Sequence, residues 1–318
     1  MPPGPPPGIA GSFFSSGMSA MIASVVMALI FLVSLFARQI APFMPDEIDV
    51  GSYFLQPGAY EPIENGTRQH VLGTDQIGRD YFSRLLYAAR ISLTVALTSV
   101  FISTLIGMVI GSISGFLGGT VDAVLMRFVE FLITIPTLPL LLIISAIVIG
   151  NEEAIPIPQV VLQLMGQIML LTPRDARQAV LIIMVLAGLG WTGVAQLMRG
   201  MVLSLREQTF VEASRSLGSS STRIIFVHMI PNAMAPIIVA ASLGLSGYII
   251  AEASLSFLGL GVRPPTAEWG SMLAAERNQV FTAPHLVFFP GLAIMWNVLA
   301  FNLLGDGLRD ALDPRLNR

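Results

Sequence analysis

The side chains that most often do chemistry are scarce in this sequence, and their spacing excludes more than it offers. There is no cysteine, which removes disulfide frameworks, thiolate metal sites, iron–sulfur clusters and cysteine nucleophiles. All 17 basic residues are arginines, so an ordinary P-loop lysine is missing and no Walker nucleotide site is expected. His70, His228 and His285 are dispersed, none sits in a two-histidine motif, and no metal site is expected within the chain. No Gly-x-Ser-x-Gly or paired-carboxylate arrangement argues for hydrolysis. Gly188, Gly190 and Gly193 spell G-x-G-x-x-G, but beside Trp191 inside an apolar run with no strand before them. Close helix packing at Gly188 is the expectation rather than a dinucleotide site. Gly107, Gly111 and Gly115 give two successive small-xxx-small steps, where a neighbouring helix should approach. Arg127 and Glu130 are three apart on one helix face. They can serve as a structural pair near an interface or as part of a gate.

The elements that must position these residues follow from composition. Of 318 residues, 54% are hydrophobic and only 12% charged, with a mean hydropathy of +0.75. A soluble domain carries about a quarter charged residues, so a polytopic membrane protein is expected. A bilayer core of about 30 Å takes about 20 helical residues to cross. Apolar runs lie at 19–36, 91–117, 124–149, 179–198, 233–251 and 286–304, giving six transmembrane helices and placing both termini on one side. Backbone groups in lipid must be satisfied internally, so the fold class is all-α. Residues 154–171 are also apolar, but Pro156 and Pro158 leave about thirteen usable residues, and an interfacial segment is expected there. Residues 1–18, opening MPPGPPPG, read as a disordered tail. Residues 41–89 form the longest polar stretch. Arginines flank both that stretch and the 199–231 loop, so charge alone leaves orientation open. Net charge is −3, and no basic patch suggests nucleic acid.

The loop between the fourth and fifth runs, FVEASRSLGSSSTRIIFVHMIPN from Phe210 to Asn232, is too apolar to stay dissolved and too broken to span. Its pattern predicts two short helices. Phe210, Ala213 and Leu217 share a face of the first, and Gly218 supplies the positive φ that ends it. Ser219 to Thr222 offer hydroxyls to cap the second, and Pro231 fits the first turn of the fifth span. Such a loop needs a protein partner. At the other end of the sixth run, Gly305 suits a helix stop, with Asp306 capping a short terminal helix.

Glu212-Ala213-Ser214, Gly218 and Pro231 resemble the EAA loop of ABC importer permeases, with Ser214 in place of a second alanine and Ile230 at the apolar position before the proline. His228 departs from that pattern, standing where an apolar residue is usual. The segments at 70–93, 252–270 (EASLSFLGLGVRPPTAEWG) and 289–317 look like those of C-type subunits of the dipeptide, oligopeptide and nickel permeases. The likeness extends from about residue 70 to the C-terminus, while the tail and residues 151–174 depart from it.

The resemblance implies a type I ABC importer transmembrane domain. It divides the chain into a cytoplasmic tail at 1–18, a first transmembrane helix at 19–40 and a periplasmic segment at 41–89. A five-helix permease core at 90–306 contains a coupling loop at 203–231, and a cytoplasmic tail follows at 307–318. It further implies a multi-pass inner-membrane protein with both termini cytoplasmic. Glu212, Ala213, Ser214, Gly218, Ile230 and Pro231 would couple to an ATPase. No cofactor would bind this chain, ATP and Mg belonging to partner subunits. The partners would be a homologous second permease, two ATP-binding subunits, a periplasmic solute-binding protein and the lipid bilayer. Import of di- or oligopeptides is the expected activity. The alternatives are a secondary transporter or channel working without ATP, and an intramembrane enzyme. The first lacks acids at mid-membrane in the second, fourth and sixth runs; the second lacks a nucleophile–base pair.

Overall fold

The computed structural model describes residues 9–63 and 66–312, with side-chain surroundings for 21–60 and 68–312. In chain order the elements begin with α1 (Ile9–Leu35), α2 (Ala37–Ile40), β1 (Ala59–Ile63) and β2 (Gly66–His70). There follow α3 (Tyr81–Leu117), α4 (Gly119–Thr134), α5 (Thr137–Gly150), α6 (Gln159–Met169), α7 (Pro173–Gly190) and α8 (Thr192–Arg206). The loop helices are α9 (Thr209–Ser216) and α10 (Ser221–Arg223). The chain closes with α11 (Ile230–Phe257), α12 (Trp269–Glu276) and α13 (Pro284–Leu312).

Three helical stretches, Tyr81–Leu117, Ser221–Phe257 and Pro284–Leu312, are long and apolar enough to cross a membrane singly. Two bent pairs, α4 with α5 and α7 with α8, make two more crossings at bends of 95° and 41°. With α1, and with each bent pair counted as one span, this accommodates the six crossings that the sequence leads one to expect. The 124–149 run was expected as one helix, but Pro136 cannot donate to the ladder, and the chain leaves helix at Ile135 with ψ 131. The 179–198 run bends at Trp191, between α7 and α8.

Other boundaries depart from the sequence expectations. The helix expected from residue 19 begins at Ile9, inside the anticipated disordered tail; residues 1–8 of that tail lie outside the described residues. The polar 41–89 stretch contains an antiparallel hairpin pairing Ala59 with His70 and Ile63 with Gly66, so the fold is mostly rather than wholly helical. Residues 154–171 yield only the 11-residue α6, too short to cross and ended by Leu170 in the left-handed region (φ 56). The sixth span does not stop at Gly305. α13 continues to Leu312, and Gly305 is a packing position, because a Cβ there would lie 2.5 Å from Leu243 Cδ2.

α3 is the spine. Asp80 caps its first turn by accepting from Ser83 N at 2.8 Å, and Gly118 ends it with φ 65. Gly107, Gly111 and Gly115 let α8 lie directly on it. A Cβ at Gly107 would stand 2.7 Å from Trp191 O, one at Gly115 2.9 Å from Arg199 O, and one at Gly111 would collide with Ala195 O. Small residues let two backbones approach where lipid offers no hydrophobic drive. The largest apolar cluster joins α3 to α1, α11, α12 and α13 through Leu93, Ala96, Ile249, Trp269, Leu286 and Phe301.

Candidate functional site

The 207–231 loop runs from the end of α8 into the first turn of α11. α9 is fastened by one fully buried side chain, Val211, which enters a cluster with Met198, Val202, Ile224, Ile225 and Met229. The Arg215 guanidinium lies 5.1 Å from the centre of the Phe116 ring, tying the helix to the end of α3. The rest faces away. Glu212 and Ala213 are exposed, and Leu217 is 86% exposed. Phe210, Ala213 and Leu217 therefore form an apolar face that nothing in this chain covers among the described residues.

Gly218 has φ 77 and no atom within 4 Å of where a Cβ would sit, so its backbone conformation, not crowding, requires glycine. Ser219 N closes the turn on Ser214 O at 3.1 Å. Of the expected caps, Ser220 serves, accepting from Arg223 N at 3.4 Å. The second helix then continues without a stop. Ile224–Met229 form a π turn, which runs into α11, so Pro231 lies within a continuous 221–257 helix. The wider π turn precedes the position where proline removes a donor. Ile230 packs against the Val211 cluster; Pro231 is exposed.

Directly above the loop, Arg199 on α8 grips Asp122 in the first turn of α4. Its Nε donates to Oδ1 at 2.5 Å and its Nη2 to Oδ2 at 2.6 Å. Ser114 Oγ on α3 donates to the same Oδ1 at 2.5 Å. A bidentate arginine–carboxylate pair is both strong and directional.

The opposite end is a polar cap. Asp75 accepts from Arg79 Nε at 2.7 Å and lies 3.6 Å from Arg84 Nε. Arg84 also donates to Pro45 O at 2.9 Å and to Pro265 O at 3.2 Å, joining the 41–80 segment, α3 and the 263–268 loop. His70 Nδ1 and Asp80 Oδ1 are 2.8 Å apart and buried. Arg263 reaches Glu152 Oε1 at 3.3 Å, which brings the 151–174 insertion into the same cap. Glu252 and Glu268 are both fully buried. Ser92 Oγ lies 3.1 Å from Glu252 Oε1, and Ser256 Oγ lies 2.7 Å from Glu268 Oε2. Glu252 Oε2 and Glu268 Oε1 have no hydrogen-bond partner among the described residues. Burial pushes the Glu268 carboxyl up to about 7. Burial, with repulsion from Asp75, raises Glu276 to about 6.

Residues expected to act elsewhere are dispersed. Arg127 Nη1 and Glu130 Oε2 are 3.4 Å apart with side chains 86% and 58% exposed, a surface pair remote from the loop's buried anchor. Gly188 is exposed, and among the described residues no atom lies within 4 Å of where its Cβ would sit; its carbonyl accepts from Trp191 Nε1 at 3.0 Å. Among the described residues no three His, Asp or Glu side chains are grouped to hold a metal. Sequence reasoning missed the Arg199–Asp122 pair, whose partners stand 77 residues apart. The burial of Glu252 near the end of α11 was likewise missed. The visible signal for each was a lone charge embedded in an apolar or glycine-rich stretch.

Residues 107–318 match the family described as "Binding-protein-dependent transport system inner membrane component". The chain is 41% identical over 298 residues to the glutathione transport system permease protein GsiD of Shigella flexneri serotype 5b (strain 8401), covering 93% of this chain and 86% of that one. It is 40% identical, with the same coverage, to GsiD of Escherichia coli O6:K15:H31. A solved structure of the MetNI methionine ABC transporter, in inward-facing conformations, aligns with 73% of this chain and 97% of that chain. There the identity is 16% and the TM-score 0.49.

Proposed function

We propose, from the premise that this chain belongs to the family of binding-protein-dependent transport system inner membrane components, that it imports small peptides by coupling its 207–231 loop to an ATPase. Membership makes it a permease subunit of an ABC importer. The relatives named for glutathione, a tripeptide, favour di- and oligopeptides or similar thiol peptides as solutes. A second permease would complete the pathway, two ATP-binding subunits would carry ATP and Mg, and a solute-binding protein would deliver the solute.

The observation that carries this reading is the uncovered face of α9. Phe210, Ala213 and Leu217 are held outward by a single buried anchor, with Glu212 beside them and Gly218 setting the turn. An apolar face on a charged, exposed helix fits a groove on a protein partner better than water or lipid. The side bearing that loop, and with it both termini, is the cytoplasmic side. The 41–89 segment, at the opposite end, is the docking surface for the binding protein. ATP binding draws the two ATPases together, displaces the loop and shifts the population between inward- and outward-facing states.

The test is uptake in liposomes containing the assembled importer. Glu212→Ala, and Gly218→Trp, which forces a large side chain to positive φ, should leave the chain in the membrane at normal levels while solute uptake falls and ATP hydrolysis loses its response to solute. Uptake and solute-stimulated hydrolysis at wild-type levels in both variants would refute the assignment. Uptake by this chain alone without ATP would instead favour a secondary transporter or channel.

A further inference from the structure

A coupling loop is useful only if its displacement reaches the part of the molecule that opens. α8 ends two residues before α9, and the loop's second helix is continuous with α11, so a displacement of the loop reaches both α8 and α11. α4 is shallowly embedded in the bundle: only Met126 and Val129 are buried along its 16 residues, while Val124, Phe128 and Phe131 are 68%, 53% and 62% exposed. At one end α4 follows Gly118 and is entered through Gly119, both at positive φ. A Cβ at Gly119 would have no atom within 4 Å. At the other end Ile135 and Pro136 interrupt the helix before α5 at the 95° corner. α4 is thus a rigid rod with a permissive joint at each end.

Two kinds of attachment connect that rod to α8. One is apolar: Met126 and Val129 meet Trp191 and Ala195, and the half-exposed Phe128 ring stacks on Trp191 with centres 6.4 Å apart. The other is the bidentate Arg199–Asp122 pair. Among the described residues it is the ion pair that joins α8 to another helix. Apolar contacts slide with little directional preference, whereas two parallel N–H···O bonds fix both distance and angle. Arg199 lies two turns before the end of α8, and Asp122 lies in the first turn of α4. The pair therefore sits between the loop and the rod. Beyond the rod, at the corner, lies a cavity of about 240 Å³ lined by Thr137, Leu141, Leu189, Gly190, Gly247 and Tyr248.

We propose that Arg199 and Asp122 are positioning residues for transport: a strut that makes α4 follow α8, so that a stroke delivered to the loop changes the α4–α5 corner. Ser114 holds the strut's acidic end against α3 and keeps the carboxylate in register. The strut rests on the assignment of the 207–231 loop as the ATPase contact.

The absence of cysteine makes the test direct, because labels can be introduced one pair at a time into the assembled importer in liposomes. Spin labels at Ser204→Cys and Leu299→Cys follow α8 against α13, which does not border the loop; labels at Val124→Cys and Leu299→Cys follow α4 against α13. With Asp122 and Arg199 intact, both distances should change on ATP binding. In Asp122→Asn the α8 change should persist and the α4 change should vanish. ATP consumed per solute imported should rise about tenfold, the scale of a coupling free energy between sites. Arg199→Lys, which keeps the charge but not the fork, should fall between. Exchanging the pair, Asp122→Arg with Arg199→Asp, should restore both the α4 movement and the coupling ratio, which a general folding defect would not allow. An α4 change that survives Asp122→Asn at an unchanged coupling ratio overturns the strut alone. If α8 does not respond to ATP with the pair intact, the loop assignment fails and the strut with it.

Discussion

The two ends of this bundle treat polar groups in opposite ways. At the cap, Asp75, Arg79, Arg84, His70, Asp80, Glu252 and Glu268 are all buried; most of their polar atoms are matched within the chain, and an oxygen on each of the two glutamates is left over. At the loop end, Glu212, Arg223 and Leu217 face outward, and one side chain, Val211, anchors a whole helix. A buried ion pair contributes little net stability, yet removing one partner strands the other at high cost. Such a network makes the cap hard to deform. A surface helix with one anchor is easily moved. The contrast suits a device driven from one end and braced at the other.

The largest effect expected from breaking this asymmetry is at the brace. Asp75→Ala would leave Arg79 buried without its carboxylate and Arg84 with only the half-exposed Asp46, 3.6 Å away. The expected destabilisation is about 3–5 kcal/mol, seen as a large fall in the thermal unfolding temperature of the detergent-solubilised protein. Glu212→Ala should leave that temperature unchanged. Equal shifts for the two variants would dissolve the contrast.

The cap should also respond to pH. The folded value of Glu268, about 7, lies above its ordinary value of 4.5, so between those limits the folded state binds the extra proton. Stability contributed by this group is therefore fully present below its ordinary range and falls as pH rises through the raised folded value. Glu276, at about 6, acts in the same direction. Unfolding measured between pH 5 and 8 should carry this slope, and Glu268→Gln should flatten it. A slope that persists unchanged in Glu268→Gln would assign it to other groups.

Between brace and loop, Gly111→Leu should separate α3 from α8, because even a Cβ there meets the backbone at Ala195 O. Overpacking of this kind costs about 1–3 kcal/mol or more, with transport lost beyond what stability explains. The smallest effect belongs to the exposed pair. Arg127→Ala should alter stability by no more than about 0.5 kcal/mol and leave uptake intact. A loss of uptake there would restore Arg127 and Glu130 as a gate.

Much of the loop was legible because its signals are local. Ser220 as a cap, Gly218 at positive φ and the two-helix division follow from residues within a few positions of one another. The glycine stripe at Gly107, Gly111 and Gly115 was equally readable, since its spacing is a property of one helix. The end of the sixth helix was misread for the same reason: Gly305 carries a local stop signal, but packing against Leu243 uses that glycine inside the helix.

The sequence by itself determined that this chain crosses a bilayer in helical runs, has no thiolate chemistry and carries a broken amphipathic loop. Composition and periodicity act residue by residue along the chain and need no fold to be read. Only the tertiary structure decided that Arg199 meets Asp122 across 77 positions, that Glu252 and Glu268 are buried in the cap, and that α4 breaks from α5 at a right-angled corner. Those outcomes depend on which helices come together, and burial, which sets the strength of every one of these charges, exists only once they have.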